Sequence, residues 1–300
     1  MPFDYLEPQT IEEAVSLLAK FDREAKVIAG GTDLLNLIRT KIIRPKYVVD
    51  IGRIPGLDHV KYDAAGTLSI GALATIRALE MSAQVKERHP VISQAAGQLG
   101  SVAIRNVGTV GGNLCHASPA ADTAPALIAL GARVKIAGPA GDRSTALENF
   151  FTAPGRTILE RGEMLTEIQV PATAPDTKGI YFKHAIRGAS DLAIVGVAAV
   201  ANFDGGRCRN LRVALGAVAP TPMRATAAER LLEGREPDQA LIEIAARAAA
   251  DESRPITDIR ASAEYRREMV QVFVRAAIKS LLPKENDRGN EIAGAVQSLG

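Results

Sequence analysis

Two glycine pairs about eighty residues apart, Gly30-Gly31 and Gly111-Gly112, constrain this chain more than any other feature of its sequence. Glycine lacks Cβ, so its backbone can take φ > 0 and press closely against a ligand. Consecutive amides in such a turn form a concavity suited to phosphate oxygens. The first pair lies in Ala29-Gly-Gly-Thr-Asp-Leu34 and the second in Thr109-Val-Gly-Gly-Asn113. The second continues through Ser118-Pro119 to Asp122 and an apolar helical run. Alone, Gly30-Gly31 reads as a tight strand-to-helix turn. Together the pairs suggest one extended ligand, such as a dinucleotide, held at two points. Neither belongs to a G-x-G-x-x-G fingerprint or a Gly-Lys-Ser/Thr loop, which counts against a Rossmann dehydrogenase and a nucleotide triphosphatase.

Composition narrows the class further. A chain of 300 residues, 47% of them hydrophobic, can bury a sizeable core and favours about two domains. Its 36 basic and 34 acidic residues are well mixed, with no basic stripe carrying aromatics, so nucleic acid is not an expected partner. No apolar run reaches the roughly 18 residues of a membrane span. The longest, residues 192–201, reads as a buried strand. The opening Met-Pro-Phe-Asp-Tyr lacks the charged and apolar regions of a secretion signal. Cys115 and Cys208 build no disulfide framework, which fits a reducing cytoplasm. Nor do they supply the four thiolates of an iron–sulfur cluster. His116 and His184 have no Cys or carboxylate at metal spacing, so no metal site is expected.

In chain order, residues 3–6 read as a short strand and Thr10 as the cap of a helix. Residues 26–29 form a strand running into the first glycine pair. Thr32 or Asp33 then caps a helix over 34–39, and 47–51 is the next strand, giving a small βαβ-like unit. A strand over 67–72, a helix from Thr75 to 85 and a helix over 91–99 follow, and then a segment over 100–113, of small residues with one charge, Arg105, that leads into the second glycine loop. Asp122-Thr123 opens a helix to 130, and strands are expected at 133–137 and 164–170. The polar stretch 172–179 marks a domain boundary. Beyond it, strand patterns at 180–186, 192–203 and 209–218 include a hairpin signal, Asp204-Gly205-Gly206. Helices at 225–232, 237–251 and 262–282 complete the pattern.

The expected fold class is α+β. An N-terminal domain spans 1–172, with subdomains of about 1–57 and 58–172. A C-terminal domain over 178–284 holds a three-stranded antiparallel sheet with a helical bundle, and 285–300 reads as a disordered tail.

Nothing in the sequence forms a side-chain catalytic set, so any reaction falls to a cofactor. Asn113 can donate and accept beside the glycines. Asp122 reads either as a helix cap or as an acceptor for a ribose or adenine donor. Lys183 reads as a solvated edge lysine or as a charge turned toward a cofactor, and Cys115 as a small buried hydrophobe.

Three segments carry a resemblance: Val27-Ile-Ala-Gly-Gly-Thr-Asp-Leu34, Thr109-Val-Gly-Gly-Asn113 and Ala117-Ser-Pro-Ala-Ala-Asp122. They resemble the FAD-binding medium subunit of molybdenum hydroxylases, the xanthine dehydrogenase and carbon monoxide dehydrogenase type. Tyr181-Phe-Lys-His184, Leu215-Gly-Ala-Val-Ala-Pro-Thr-Pro222 and Asp258-Ile-Arg-Ala-Ser262 are similar to that family's C-terminal domain. The likeness covers all but the tail. It implies a flavin domain of the p-cresol methylhydroxylase and vanillyl-alcohol oxidase type.

The resemblance also implies site residues. Val27, Ile28, Ala29, Gly30, Gly31, Thr32, Asp33 and Leu34, with Thr109, Val110, Gly111, Gly112 and Asn113, would wrap the FAD pyrophosphate with backbone amides. Asp122 would hold the adenosine side, Leu99 would pack near the cofactor, and Leu165 would lie beside the flavin. Lys183 would approach the isoalloxazine from the C-terminal domain. No residue is implied as catalytic. The molybdenum cofactor would sit in a large partner subunit and [2Fe–2S] clusters in a small one, in a dimer of heterotrimers. Electrons would leave the FAD for NAD+, quinone, O2 or another external acceptor.

Two departures sharpen this. Thr32-Asp33 stands where carbon monoxide dehydrogenase flavoproteins tend to have His-Ser, which points to the aromatic and N-heterocycle hydroxylases. Some relatives carry a further [4Fe–4S] cluster on an inserted loop; with two Cys and no insertion, this chain should not. The rival readings are a stand-alone flavin oxidoreductase of the same fold and a non-catalytic nucleotide-binding module.

Overall fold

The computed structural model describes residues 3–187 and 190–283, so the tail expected at 285–300 lies outside the described residues. The chain opens with β1 (Asp4–Leu6), α1 (Ile11–Phe21), β2 (Ala25–Ile28), α2 (Leu34–Arg39) and β3 (Tyr47–Asp50). These strands form a sheet of order β1-β3-β2 in which both pairs are parallel. Thr10 starts α1 as expected, its Oγ1 accepting from the Glu13 N–H, with Glu12 and Glu13 at the positive end of the helix dipole. Ala14, Val15 and Leu18 turn inward and share a core with Val49, Ile51 and Ile54.

The middle of the chain runs β4 (Val60–Tyr62), β5 (Leu68–Gly71), α3 (Ile76–Met81), α4 (Ala83–Arg88), α5 (Pro90–Gly97) and α6 (Val102–Val107). It continues α7 (Val110–His116), α8 (Thr123–Ala129), β6 (Arg133–Ala137), β7 (Arg143–Ala146), β8 (Phe151–Ala153), β9 (Arg156–Thr157) and β10 (Met164–Val170). Five of these strands make an antiparallel sheet of order β4-β5-β10-β6-β7. The helix expected from Thr75 to 85 is two helices. Ser82 ends α3, and its Oγ accepts from the Val85 N–H to start α4, a side chain competing with the helical ladder. The segment over 100–113, to which the sequence assigns no element, is largely α6 and the start of α7, so the second glycine loop is in fact the first turn of a helix.

The last part holds β11 (Lys178–His184), β12 (Val195–Asp204), β13 (Arg207–Gly216), β14 (Met223–Arg224), α9 (Thr226–Leu232), α10 (Gln239–Glu252) and α11 (Ala263–Leu281). Its antiparallel sheet has four strands, β11-β12-β13-β14, rather than three. The two-residue β14 is too short to leave a period-two pattern in the sequence. The β12–β13 hairpin turns through Gly205 and Gly206 at φ +53° and +78°, as the turn residues foretell. Strand β12 is buried on both faces. Val195, Val197, Ala199 and Ala201 share a core with α10 and α11, while Ala198 and Val200 join the core holding Val91 and Leu127. A strand covered on both sides has no polar face to alternate with, which explains the long apolar run.

Candidate functional site

Both glycine pairs line one cleft of about 440 Å³, and the first is brought there by contact between main chains. A Cβ on Gly30 would lie 2.0 Å from the Val107 carbonyl oxygen, so the end of α6 closes directly onto the β2–α2 turn. Gly31 takes φ +71°, the left-handed conformation that such a turn asks of glycine. Asp33 occupies the cap position of α2 without the expected side-chain cap bond. Its carboxylate lies instead 3.7 Å from His116 Nε2, at the end of α7.

The second pair serves another purpose than a flexible anion turn. Gly111 and Gly112 belong to the first turn of α7, and neither has positive φ. A Cβ on Gly111 would stand 2.6 Å from the Ala72 carbonyl oxygen, so this glycine lets α7 lie against the end of β5. The amides of α7's first turn are also spent. Val110 N–H donates to Ala74 O and Gly111 N–H to Ala72 O, each at 2.9 Å. Gly112 N–H donates to Thr109 Oγ1 at 3.1 Å, and Asn113 N–H to Thr109 O at 2.9 Å. The expectation that these four amides wrap a pyrophosphate is therefore corrected. By contrast, among the described residues, none of the amides from 30 to 34 donates to a protein acceptor. The Asn113 Oδ1 accepts from Thr123 Oγ1 at 2.6 Å, leaving its side-chain nitrogen as a donor beside the cleft.

All the expected residues from Val27 to Leu34 line the cleft except Ile28, and so do Leu99, Thr109, Gly111, Gly112, Asn113, Asp122 and Leu165. Val110 does not, being fully buried in the core. Lys183 does not either, because its ammonium is committed behind the wall. Lys183 Nζ donates to Asp122 Oδ2 at 2.8 Å and to Gln98 O at 2.9 Å. Tyr181 Oη donates to the other carboxylate oxygen of Asp122 at 2.8 Å. Asp122 stands at the cap of α8 but makes no side-chain cap bond, since both its oxygens bind β11. With Asp122 and Lys183 forming one ion pair, their side chains 6% and 3% exposed, they act at a single place. The resemblance assigns them to opposite ends of the cofactor, whereas here the two side chains meet at one point. Burial pushes the Asp122 carboxyl up, against the pull of Lys183 and the Tyr181 hydroxyl.

Sequence reasoning missed several lining residues, among them Ile104, Met164 and Leu192. Ile104 belongs to a short helix that the sequence does not mark; the others are apolar residues indistinguishable by pattern from core. Cys115 also lines the cleft, and burial pushes its thiol up to about 12, which keeps it protonated and unreactive. Among the described residues, no group of His, Cys, Asp and Glu could hold a metal ion, and no helix is long and apolar enough to cross a membrane.

Residues 1–173 match the family model described as the FAD binding domain in molybdopterin dehydrogenase. The chain belongs to this family. Residues 180–281 match a second model, the CO dehydrogenase flavoprotein C-terminal domain. The carbon monoxide dehydrogenase medium chain of Hydrogenophaga pseudoflava is 34% identical over 278 residues, covering 93% of this chain and 96% of that relative. A xanthine dehydrogenase FAD-binding subunit of Escherichia coli is 32% identical over 276 residues, covering 91% and 94%. A solved carbon monoxide dehydrogenase from Hydrogenophaga pseudoflava superposes with a TM-score of 0.91 at 34% identity, over 94% of this chain and 99% of that one. The two branches thus stand at nearly equal identity to this chain. For a member of an FAD-binding family the cleft is well suited. Its glycine positions are filled by main chain, the 30–34 turn offers unspent amides, and Leu99, Ile104 and Leu165 supply apolar walls.

Proposed function

We propose that this chain is the FAD-binding, electron-transferring medium subunit of a multi-subunit molybdenum hydroxylase. The observation that carries the reading is the shared cleft, where a turn rich in free amides meets apolar walls. Bound FAD supplies the redox chemistry; this chain's residues bind, orient and shield. The amides of Gly30, Gly31, Thr32, Asp33 and Leu34 would hold the pyrophosphate oxygens. Gly111 allows α7 to close the opposite wall. Leu99, Ile104 and Leu165 would exclude water from the ring system. The Asp122–Lys183 pair ties β11 to the rim. No side chain of this subunit is assigned as catalytic.

In this reading residues 1–172 form a flavin domain of the p-cresol methylhydroxylase and vanillyl-alcohol oxidase type, with subdomains of about 1–57 and 58–172, and 178–284 form the C-terminal domain. A large subunit carries the molybdenum cofactor and a small one the [2Fe–2S] clusters, assembled in the cytoplasm as a dimer of heterotrimers. An external acceptor removes the electrons. The full chain should purify with a flavin absorption band and release FAD on denaturation. Native mass spectrometry of the complex from its own cells should show one large and one small partner. A colourless chain that takes up no added FAD would sink the proposal.

A further inference from the structure

Resting on that reading, we propose that Arg105 is a positioning residue for the flavin cofactor, holding the Leu99–Gly100 wall of the cleft in place from behind. The six-residue helix α6 is built inside out. Arg105 is 8% exposed, while Val102, Ile104 and Val107 are 48%, 39% and 52% exposed. Burying a guanidinium is costly unless its donors are satisfied. Here Arg105 Nε donates to Glu80 Oε2 at 2.7 Å and Nη2 to Glu80 Oε1 at 3.3 Å. Nη1 donates to Leu99 O at 3.0 Å and to Gly100 O at 3.1 Å.

The adjoining carbonyl, Gln98 O, receives Lys183 Nζ. Three consecutive carbonyls at the end of α5 are therefore held by two buried cations from different parts of the chain. Gln98 is the C-cap of α5, and the Leu99 and Gly100 carbonyls follow directly on the negative end of its dipole, where cations are favoured. Leu99 and Gly100 face the cleft, and Gly100 sits at φ +50°, so the turn has little regular structure of its own.

Glu80 distinguishes a positioning role from an ordinary core ion pair. Arg77 Nη1 already reaches Glu80 Oε2 at 2.8 Å. Burial raises the Glu80 carboxyl, but hydrogen bonds from Arg77 and Arg105 outweigh it and hold the group below its usual range. Arg105 thus shares the neutralising of Glu80 with Arg77. What it supplies alone is the pair of N–H donors to Leu99 and Gly100. A lysine has a single ammonium and lacks the planar fork that spans carboxylate and carbonyls together.

The test uses the full chain as wild type, Arg105→Lys and Glu80→Gln, with the FAD dissociation constant, the visible circular dichroism of bound flavin and the apoprotein melt as readouts. Arg105→Lys should weaken FAD by about tenfold or more, the scale of losing charge-assisted hydrogen bonds, and alter the flavin dichroism. Glu80→Gln, which keeps the Arg105 N–H donors to the two carbonyls, should do neither to a comparable degree. Equal losses in the two variants, or Arg105→Lys with wild-type affinity and dichroism, overturn the inference. Should Arg105→Lys fail to fold, the E80Q/R105Q double variant, which removes both charges, carries the same expected and overturning results. A wild-type chain that takes up no FAD sinks the functional reading underneath. FAD-loaded wild type with an unchanged Arg105→Lys sinks this inference alone.

Discussion

Gly30 and Gly111 owe their identity to neighbouring main chain before any ligand arrives. Their missing Cβ positions are already taken by the carbonyl oxygens of Val107 and Ala72. Gly30→Ala and Gly111→Val should therefore each destabilise the protein by at least about 1–3 kcal/mol through overpacking, with loss of FAD as a consequence. Urea unfolding of the apoprotein beside flavin content checks this. A Gly111→Val protein of wild-type stability that has lost only FAD would return that glycine to a ligand-facing role. A second residue-scale expectation concerns His89, whose ring is buried against Tyr62 with Nδ1 2.8 Å from the tyrosine Oη. Burial, helped by Arg88, lowers its pKa from 6.5 to about 4. The folded value lies below the unfolded one, so the neutral ring's contribution is complete above pH 6.5 and is lost as pH falls toward 4. Urea midpoints at pH 7 and pH 4.5 should fall further in wild type than in His89→Phe.

The start of α7 shows what a single element contributes and how far sequence alone could foresee it. Thr109 Oγ1 accepts the Gly112 N–H in a largely buried turn. Thr109→Ala should cost about 1 kcal/mol, read as a lowered melting temperature, because it removes the side-chain cap that receives the Gly112 N–H. Local signals of this kind were legible: the Thr10 and Thr75 caps, the Gly205-Gly206 hairpin and the apolar run of β12 each have a near-neighbour cause. So was the convergence of both glycine segments on one ligand-sized site. Not legible were features set by distant partners. A glycine pair signals a close approach, but not whether ligand or protein makes it, so 110–113 read as loop when it is helix. The Asp122–Lys183 pair joins residues 61 apart in sequence, and no periodicity marks such a contact. Arg105 read as the lone charge in a run of small residues; its burial beneath an apolar surface reverses the usual pattern.

At the scale of the molecule, the core crosses the boundary between the two family matches, which fall on 1–173 and 180–281. The cluster that holds Leu127 and Ile168 also holds Tyr181, Ala198, Val200 and Ala214. A fragment of residues 1–175 would expose the faces of α5 and α8 that cover this sheet. It should aggregate on size-exclusion chromatography when made alone and be rescued by co-expression with 176–300; a monomeric fragment that binds FAD would contradict the shared core. Strand β12, buried on both sides, also limits how chains of this kind can be recombined. A Cβ on Gly216 would lie 2.9 Å from Pro125 Cγ, so the end of β13 is fitted closely against α8. A chimera that joined the first half of this chain to the second half of a relative 34% identical would have to fit α5 and α8 to a sheet surface of different sequence. A crossover that respects the helices must still move α5, α8 and the sheet as one piece, because all three share one core.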